Sequence, residues 1–210
     1  MKRGLLIVIS GPSGAGKGTI CHKLLEDNSN ISLSISTTTR SKRGFEIDGK
    51  DYYFVSKEEF QKKIEEGKFL EYALVHSNYY GTDKSLVEKT LEEGRDIILE
   101  IDIQGALKIK ELIKDGVFIF ITPPSMKILL RRLIDRNTES KDQILERFKT
   151  AYKEINESTK YNYVVINDEI ENAVKKIESI ILAEKCRVDR INDIDLGNEE
   201  EIIHEFFTSD

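Results

Sequence analysis

Nine residues near the start of the chain, Gly11-Pro12-Ser13-Gly14-Ala15-Gly16-Lys17-Gly18-Thr19, have the types and spacing needed to hold a polyphosphate. Glycines let the backbone turn tightly enough to aim successive N–H groups at phosphate oxygens. A helix opening at Lys17 would add the positive end of its dipole, and the Lys17 ammonium can extend to the β and γ phosphates. A glycine-rich turn alone carries little information. Here the apolar run Leu5-Leu6-Ile7-Val8-Ile9 precedes it and an amphipathic segment follows, which is the strand–loop–helix context that the chemistry requires. One position departs from the general pattern. Gly18 stands where a Ser or Thr hydroxyl ordinarily ligates Mg²⁺, and Thr19 comes one residue late, which puts direct metal ligation by this loop in doubt.

Arginines form the second group of interest. Arg132 and Arg136 are four residues apart and share a helix face, and Arg147 falls on the next predicted helix, beyond the break Asn137-Thr138-Glu139-Ser140. A solvated charged face is one reading of such a segment. Beside a phosphate-binding loop, the other reading is a mobile lid that closes arginines over a transferring phosphate.

The elements that must position these groups can be traced through the chain. Short apolar, β-branched runs at Leu5–Ile9, Ile31–Ile35, Ile97–Ile101, Val117–Ile121 and Tyr163–Ile166 are separated mostly by segments of helical period. That pattern predicts an α/β fold, a parallel sheet flanked by helices on both faces. Helices are expected over Lys17–Asp27, Gly105–Lys114, Pro124–Asp135 and Asp168–Lys185. Residues 37–94 differ in texture, with mixed polar and aromatic strands at Asp51–Ser56 and Phe69–His76, and should form a small subdomain outside the main sheet. Within it Ser56 and Glu59 have capping-box spacing, and Gly67 and Gly94 each close a helix. The expected organisation is one domain over 1–186, with core segments 1–36, 95–125 and 158–186, an insert over 37–94 and a lid over 126–157. An acidic tail, 187–210, follows.

Composition narrows the function classes. The 210 residues carry a net charge of −6, and residues 187–210 contain eight acidic residues against Arg187 and Arg190, so the rest of the chain is neutral. A neutral body lacks the basic footprint of a general nucleic-acid surface. Cys21 and Cys186 are too few and too distant for a disulfide framework, and His22, His76 and His204 are too scattered for a metal cluster. Only Leu5–Ser10 separates the N-terminal Lys2 and Arg3 from the glycine-rich loop, which fits neither a signal peptide nor a membrane span. A cytoplasmic enzyme is the expectation.

Further motifs run in register with the loop: Ser36-Thr37-Thr38-Thr39-Arg40-Ser41-Lys42-Arg43-Gly44, Gly49-Lys50-Asp51-Tyr52-Tyr53-Phe54, Phe69-Leu70-Glu71-Tyr72-Ala73, Asn78-Tyr79-Tyr80-Gly81-Thr82 and Glu100-Ile101-Asp102-Ile103-Gln104-Gly105. In this order and spacing the chain resembles the guanylate kinases, from about Gly4 to about Ala183. The resemblance implies a P-loop kinase fold with a mixed α/β GMP-binding insert and a helical lid. It also implies transfer of the γ-phosphoryl group of MgATP to GMP, giving GDP and ADP. ATP would lie on Gly11 through Thr19 and the turn Asn167-Asp168, although Asp168 reads equally well as the N-cap of the final helix.

Arg40 and Arg43, two guanidinium forks three residues apart, would grip the phosphate of GMP, with Tyr52 and Tyr80 adding phenolic donors or simply packing. Glu71 would accept from guanine N1–H and the 2-amino group, two adjacent donors that match two carboxylate oxygens; without the resemblance it reads as an exposed Glu on an edge strand. Ser36 and Thr82 would add polar contacts to the base, with Glu100 near it. Lys17, Arg132, Arg136 and Arg147 would stabilise charge on the moving group. Asp102 lies on the same strand face as Glu100, at the C-terminal edge where open α/β sheets bind ligands, and would stand beside an Mg²⁺ held mainly by ATP phosphates and water. Two alternatives remain at this stage: a non-catalytic protein-binding module of the same shape, and a kinase for another phosphorylated small molecule. Oligomeric state is not legible.

Overall fold

The computed structural model describes residues 3–75, 77–135, 140–191 and 198–208. Arg136, the lid break Asn137–Glu139, His76, and the tail acids Asp193, Asp195 and Asp210 lie outside the described residues. A five-stranded sheet in the order β2 (Ile31–Leu33), β7 (Asp96–Glu100), β1 (Leu6–Ser10), β8 (Val117–Thr122), β9 (Tyr163–Ile166) has every pair parallel. Ile7 of β1 pairs with Ile98 on one side and Val117 on the other.

The continuous apolar run of β1 follows from burial on both faces. The pleat sends Leu5, Ile7 and Ile9 into one core with Ile20 and Leu24 of α1 (Lys17–Asp27) and Ile177 and Ile181 of α7 (Ile170–Lys185). Leu6 and Val8 face the opposite way, into a second core with Val87 and Leu91 of α3 (Lys84–Glu92) and Ala106 and Ile109 of α4 (Ile103–Leu112). Helix α3 therefore packs on the main sheet although its sequence lies within the predicted insert.

The insert builds a second sheet, ordered β4 (Tyr53–Phe54), β3 (Thr37–Thr38), β6 (Asn78–Asp83), β5 (Phe69–Val75), with β3–β4 parallel and the other pairs antiparallel. Its core is aromatic: fully buried Phe60 of α2 (Lys57–Glu65) stacks on Phe69 at 4.5 Å and on Tyr79 at 5.4 Å between ring centres. The predicted capping box is present, since Ser56 Oγ accepts from Glu59 N at 3.1 Å and Glu59 Oε2 accepts from Ser56 N at 2.9 Å. Gly67, at φ 63°, closes α2 with the left-handed turn that glycine favours. The segment expected to form a lid contains a pair of helices, α5 (Met126–Ile134) and α6 (Lys141–Ile155), joined by their own small core of Leu129, Leu133 and Ala151.

Several boundaries differ from expectation: α4 runs over Ile103–Leu112 and not Gly105–Lys114, and α5 over Met126–Ile134 and not Pro124–Asp135. Helix α7 begins at Ile170 with Glu169 as N-cap, and Asp168 Oδ1 accepts from Glu169 N at 2.8 Å and lies 3.8 Å from Lys176 Nζ; the capping alternative for Asp168 is thereby removed. The segment after Cys186 does not leave the body at once. Arg187 and Arg190 both reach the buried carboxylate of Glu184, and Arg190 Nη2 also donates to the Asp115 carbonyl at 2.6 Å. Beyond it, Glu199–Thr208 forms a final helix, α8. No described helix is long and apolar enough to cross a membrane.

Candidate active site

At the C-terminal edge of the main sheet, β1 runs into the glycine-rich loop and then α1. Three loop glycines have positive φ: Gly11 at 144°, Gly14 at 86° and Gly16 at 91°. Two of them also admit no side chain, because a Cβ on Gly11 would lie 2.1 Å from the Ile121 carbonyl oxygen and one on Gly16 would lie 2.4 Å from Asn167 Nδ2. Gly16 occupies the N-cap of α1 with no side-chain bond, so no side chain competes for the amides of the first turn. Lys17 folds back on the loop, Nζ donating to the Gly11 carbonyl at 2.6 Å and the Pro12 carbonyl at 3.3 Å. Burial pulls its pKa below the ordinary value, against the pull of Glu100, Glu154 and Asp102, so the ammonium is poised to exchange weak carbonyl partners for stronger anionic ones.

The loop, the insert and the strand ends enclose one continuous cleft of about 420 Å³. It is lined by Gly11, Lys17 and Gly18 of the loop together with Ser36, Tyr52, Glu71 and Tyr80, and by Glu100 and Asp102 at the strand edge. Of the residues predicted to read a base, Glu71 is buried, although β5 is indeed an edge strand. Its side chain turns inward: Oε1 accepts from Thr82 Oγ1 at 2.9 Å, while Oε2 has no protein partner. Helix α4 comes so close that a Cβ on Gly105 would sit 2.6 Å from Oε2, so this glycine makes the room. Burial raises the Glu71 carboxyl to about 7, against the bond from Thr82. Burial likewise raises Glu100, with Lys17 and His22 opposing.

At the insert tip, Tyr52 and Tyr80 both line the cleft and pack edge to face with ring centres 6.0 Å apart, so packing and facing the cleft are combined. The Arg40 guanidinium lies over the Tyr52 ring at 5.3 Å and the Phe54 ring at 5.7 Å. Its Nη1 and Nη2 donate in parallel to Glu46 at 3.0 and 2.6 Å, and Nη1 also donates to the Ser41 carbonyl at 2.8 Å. Arg43 is exposed, with its backbone N–H donating to Glu46 Oε2 at 2.8 Å.

On the lid side, two predicted arginines already touch the loop. Arg147 Nη2 donates to Ser13 Oγ, and Arg132 donates to the carbonyls of Ala15 at 3.4 Å and Asn167 at 3.1 Å. Asn167 is brought to the loop but braces it from behind, Nδ2 donating to the Ala15 carbonyl at 2.7 Å; exposed Asp168 faces Lys176 at 3.8 Å. Asp102 Oδ1 caps α4, accepting from Gln104 N at 2.7 Å and Gly105 N at 3.2 Å, and so fixes the glycine that lies against Glu71.

Sequence reasoning missed three participants. Glu154 lines the cleft from α6, seven residues after Arg147 and hence on the same helix face, a period that could have revealed it. Glu46 lies in an irregular turn with no periodicity to mark it, and Gly105 carries no chemical group at all.

Among the described residues no group of three or more His, Cys, Asp or Glu is arranged to hold a metal ion. The carboxylates beside the loop are Glu100, Asp102 and Glu154, and one oxygen of Asp102 is committed to capping. This sparse set fits a divalent cation that keeps most of its ligands from substrate and water.

Comparison with known proteins gives a consistent result. Residues 3–184 match the protein family described as "Guanylate kinase". A guanylate kinase of Clostridium tetani is 62% identical over 205 residues, covering 98% of each chain, so the likeness runs well past Cys186 into the tail. A guanylate kinase of Caldanaerobacter subterraneus is 60% identical over 202 residues, covering 96% of this chain and 98% of that one. Among solved structures, the guanylate kinase from Anaplasma phagocytophilum superposes with a TM-score of 0.78 at 36% identity, covering 99% of this chain and 97% of that one.

Proposed function

Because this chain belongs to the guanylate kinase family, we propose that its cleft carries out the family's reaction, transfer of the γ-phosphoryl group of ATP to GMP with release of ADP and GDP. The observation that supports this reading most directly is a cleft lined both by the glycine-rich loop and by an inward, half-satisfied carboxylate. Ionised Glu71 presents its two carboxylate oxygens to guanine N1–H and the 2-amino group, Oε1 retaining acceptor capacity beside its bond from Thr82, and Ser36 adds a polar contact. Arg40, Arg43, Tyr52 and Tyr80 then grip the phosphate of GMP and turn one of its oxygens toward the loop. ATP lays its phosphates over the amides of Gly11 through Thr19.

Transfer needs no covalent enzyme intermediate. An oxygen of GMP forms the new bond to the γ phosphorus as the bond to the β–γ bridging oxygen breaks, and the electron pair leaves with ADP. Lys17 exchanges the Gly11 and Pro12 carbonyls for β and γ oxygens. Arg132 and Arg147, together with Arg136, stabilise charge on the equatorial oxygens, and the lid helices exclude water. Glu100, Asp102 and Glu154 would stand beside a Mg²⁺ brought in with ATP, which would supply charge neutralisation on the phosphates. Insert, lid and core act as subregions of one cytoplasmic enzyme that takes small nucleotides and neither nucleic acid nor membrane.

The test is ADP release with GMP, AMP, CMP and UMP as acceptors, together with detection of GDP. GMP alone should support rapid turnover, and absence of GDP from well-folded protein with MgATP and GMP would overturn the assignment. Lys17→Ala should lower turnover by about 10³-fold or more while the thermal midpoint stays near that of the native protein. Unchanged turnover would show that this loop is not the site of transfer.

A further inference from the structure

The segment Phe45-Glu46-Ile47 has its burial inverted. Phe45 is 81% exposed and Ile47 53% exposed, yet Glu46 between them is only 6% exposed. Hydrophobicity alone would turn the apolar neighbours in and the carboxylate out, so a specific set of bonds must hold it. Those bonds lead to Arg40, whose guanidinium packs on the cleft-lining Tyr52. Glu46 Oε1 and Oε2 receive the Nη2–Nη1 edge of Arg40, and Oε2 also accepts from the Arg43 backbone N–H. One carboxylate therefore ties together the two arginines proposed to hold the phosphate of GMP.

We propose that Glu46 is the positioning residue of the acceptor-phosphate grip: it clamps one edge of the Arg40 guanidinium and the backbone of Arg43, leaving the other edge of Arg40 to receive the phosphate. This rests on the GMP-kinase reading of the cleft.

The donor count supports it. A guanidinium has five N–H groups. Both hydrogens of Nη1 are engaged, by Glu46 and the Ser41 carbonyl, and one hydrogen of Nη2 by Glu46. The Nε–H and the second Nη2 hydrogen lie on a separate edge with the fork geometry that suits a phosphate dianion, and the Tyr80 hydroxyl, itself proposed to hold that phosphate, also interacts with this guanidinium. The rings of Tyr52 and Phe54 lie against the same guanidinium, so its plane is fixed by stacking as well as by the clamp. The pair also keeps both groups charged: the Arg40 bonds hold the Glu46 carboxyl below the usual carboxylate range. A carboxylate next to an anion site weakens the raw attraction for phosphate. Its benefit is orientation, because a flexible arginine would otherwise lose rotamer freedom on every binding event.

The test uses Glu46→Gln, Glu46→Asp and Arg40→Lys in the full chain, with KM for GMP and for ATP, kcat, the thermal midpoint, and GMP affinity by calorimetry. Glu46→Gln should raise KM for GMP roughly ten- to a hundredfold, the range expected when a charged hydrogen-bonded pair loses its charge. KM for ATP should stay within about twofold, and Glu46→Asp should recover part of the loss. In the Arg40→Lys background the same change at Glu46 should add little further weakening, since the clamp then has no fork to hold. A lower or unchanged KM for GMP in Glu46→Gln would overturn the proposal, as would full additivity with Arg40→Lys. Equal loss of GMP and ATP affinity with a lowered thermal midpoint would make Glu46 a structural residue only. If the native protein made no GDP at all, the reading of the cleft would have failed first.

Discussion

Replacing Glu71 by Gln should improve the fold and damage the reaction, and the two effects can be measured separately. The carboxylate is buried, receives one hydrogen bond from Thr82 and leaves Oε2 without a protein partner. Its pKa in the folded protein, about 7, stands above the ordinary 4.5. Between those two values the folded state binds more protons than the unfolded chain, so stability falls as pH rises through that window. Above it, the ionised group destabilises the native state by about 3 kcal/mol, the equivalent of that rise. Gln carries no charge to desolvate. Denaturant unfolding should therefore find the variant more stable than the native protein at pH 8, by about 1–3 kcal/mol once the amide's own desolvation is allowed for, and nearly equal to it at pH 5.

Recognition should move the other way. Gln turns an acceptor into a donor facing guanine's two donors, so kcat/KM for GMP should fall by about 2–4 kcal/mol in transition-state terms. Preference for GMP over AMP, on the order of a thousandfold in the native protein, should collapse with it. KM for GMP in the native protein should also rise as pH drops below about 7, and that dependence should vanish in the variant. A Gln variant that kept native GMP efficiency, or that lost stability equally at both pH values, would refute the reasoning.

Two further outcomes follow from single contacts. Gly105→Ala adds a Cβ where Oε2 of Glu71 stands 2.6 Å away, so KM for GMP should rise roughly tenfold with KM for ATP unchanged, although alanine favours the helix by about 1 kcal/mol; an unaltered KM for GMP would show that the carboxylate is not confined. Ending the chain after Ile191 should leave the thermal midpoint unchanged, whereas ending it after Cys186 removes both arginines from buried Glu184 and should cost about 2–4 kcal/mol; equal midpoints for the two truncations would refute this role for Arg187 and Arg190.

Local chemistry made much of this protein legible. The loop glycines, the apolar β1 run and the Ser56–Glu59 capping box each act over a few residues, and each is found where spacing places it. Strands β3 and β6 were not foreseen, because two polar residues at Thr37–Thr38 and the mixed Asn78–Asp83 have no alternation strong enough to stand out; they exist through pairing with each other and with β4 and β5. Asn167 was foreseen as part of the ATP site but not as a brace, since its partner Ala15 is distant in sequence. Asp102 was read as a neighbour of the metal, and its capping bonds depend on where α4 starts, which is Ile103 and not Gly105. Glu46 and Gly105 acquire meaning only from what the fold brings against them.

The close approach of Glu71 and Gly105 joins two bodies, since one belongs to the edge strand of the insert and the other to a helix of the main sheet. The wall that tests the base is thus a seam, and a seam shuts only as far as its poorest contact permits. On the proposed reading, guanine would lend its hydrogens to the Glu71 carboxylate and let the insert settle. Adenine would offer a lone pair at N1 and hold the insert off. Arg40 belongs to that same insert, so a misfit at the base would displace the phosphate at the far end of the nucleotide. Fidelity would then be mechanical as well as energetic: a wrong base that does bind would be presented out of line, and its error would register in kcat as much as in KM.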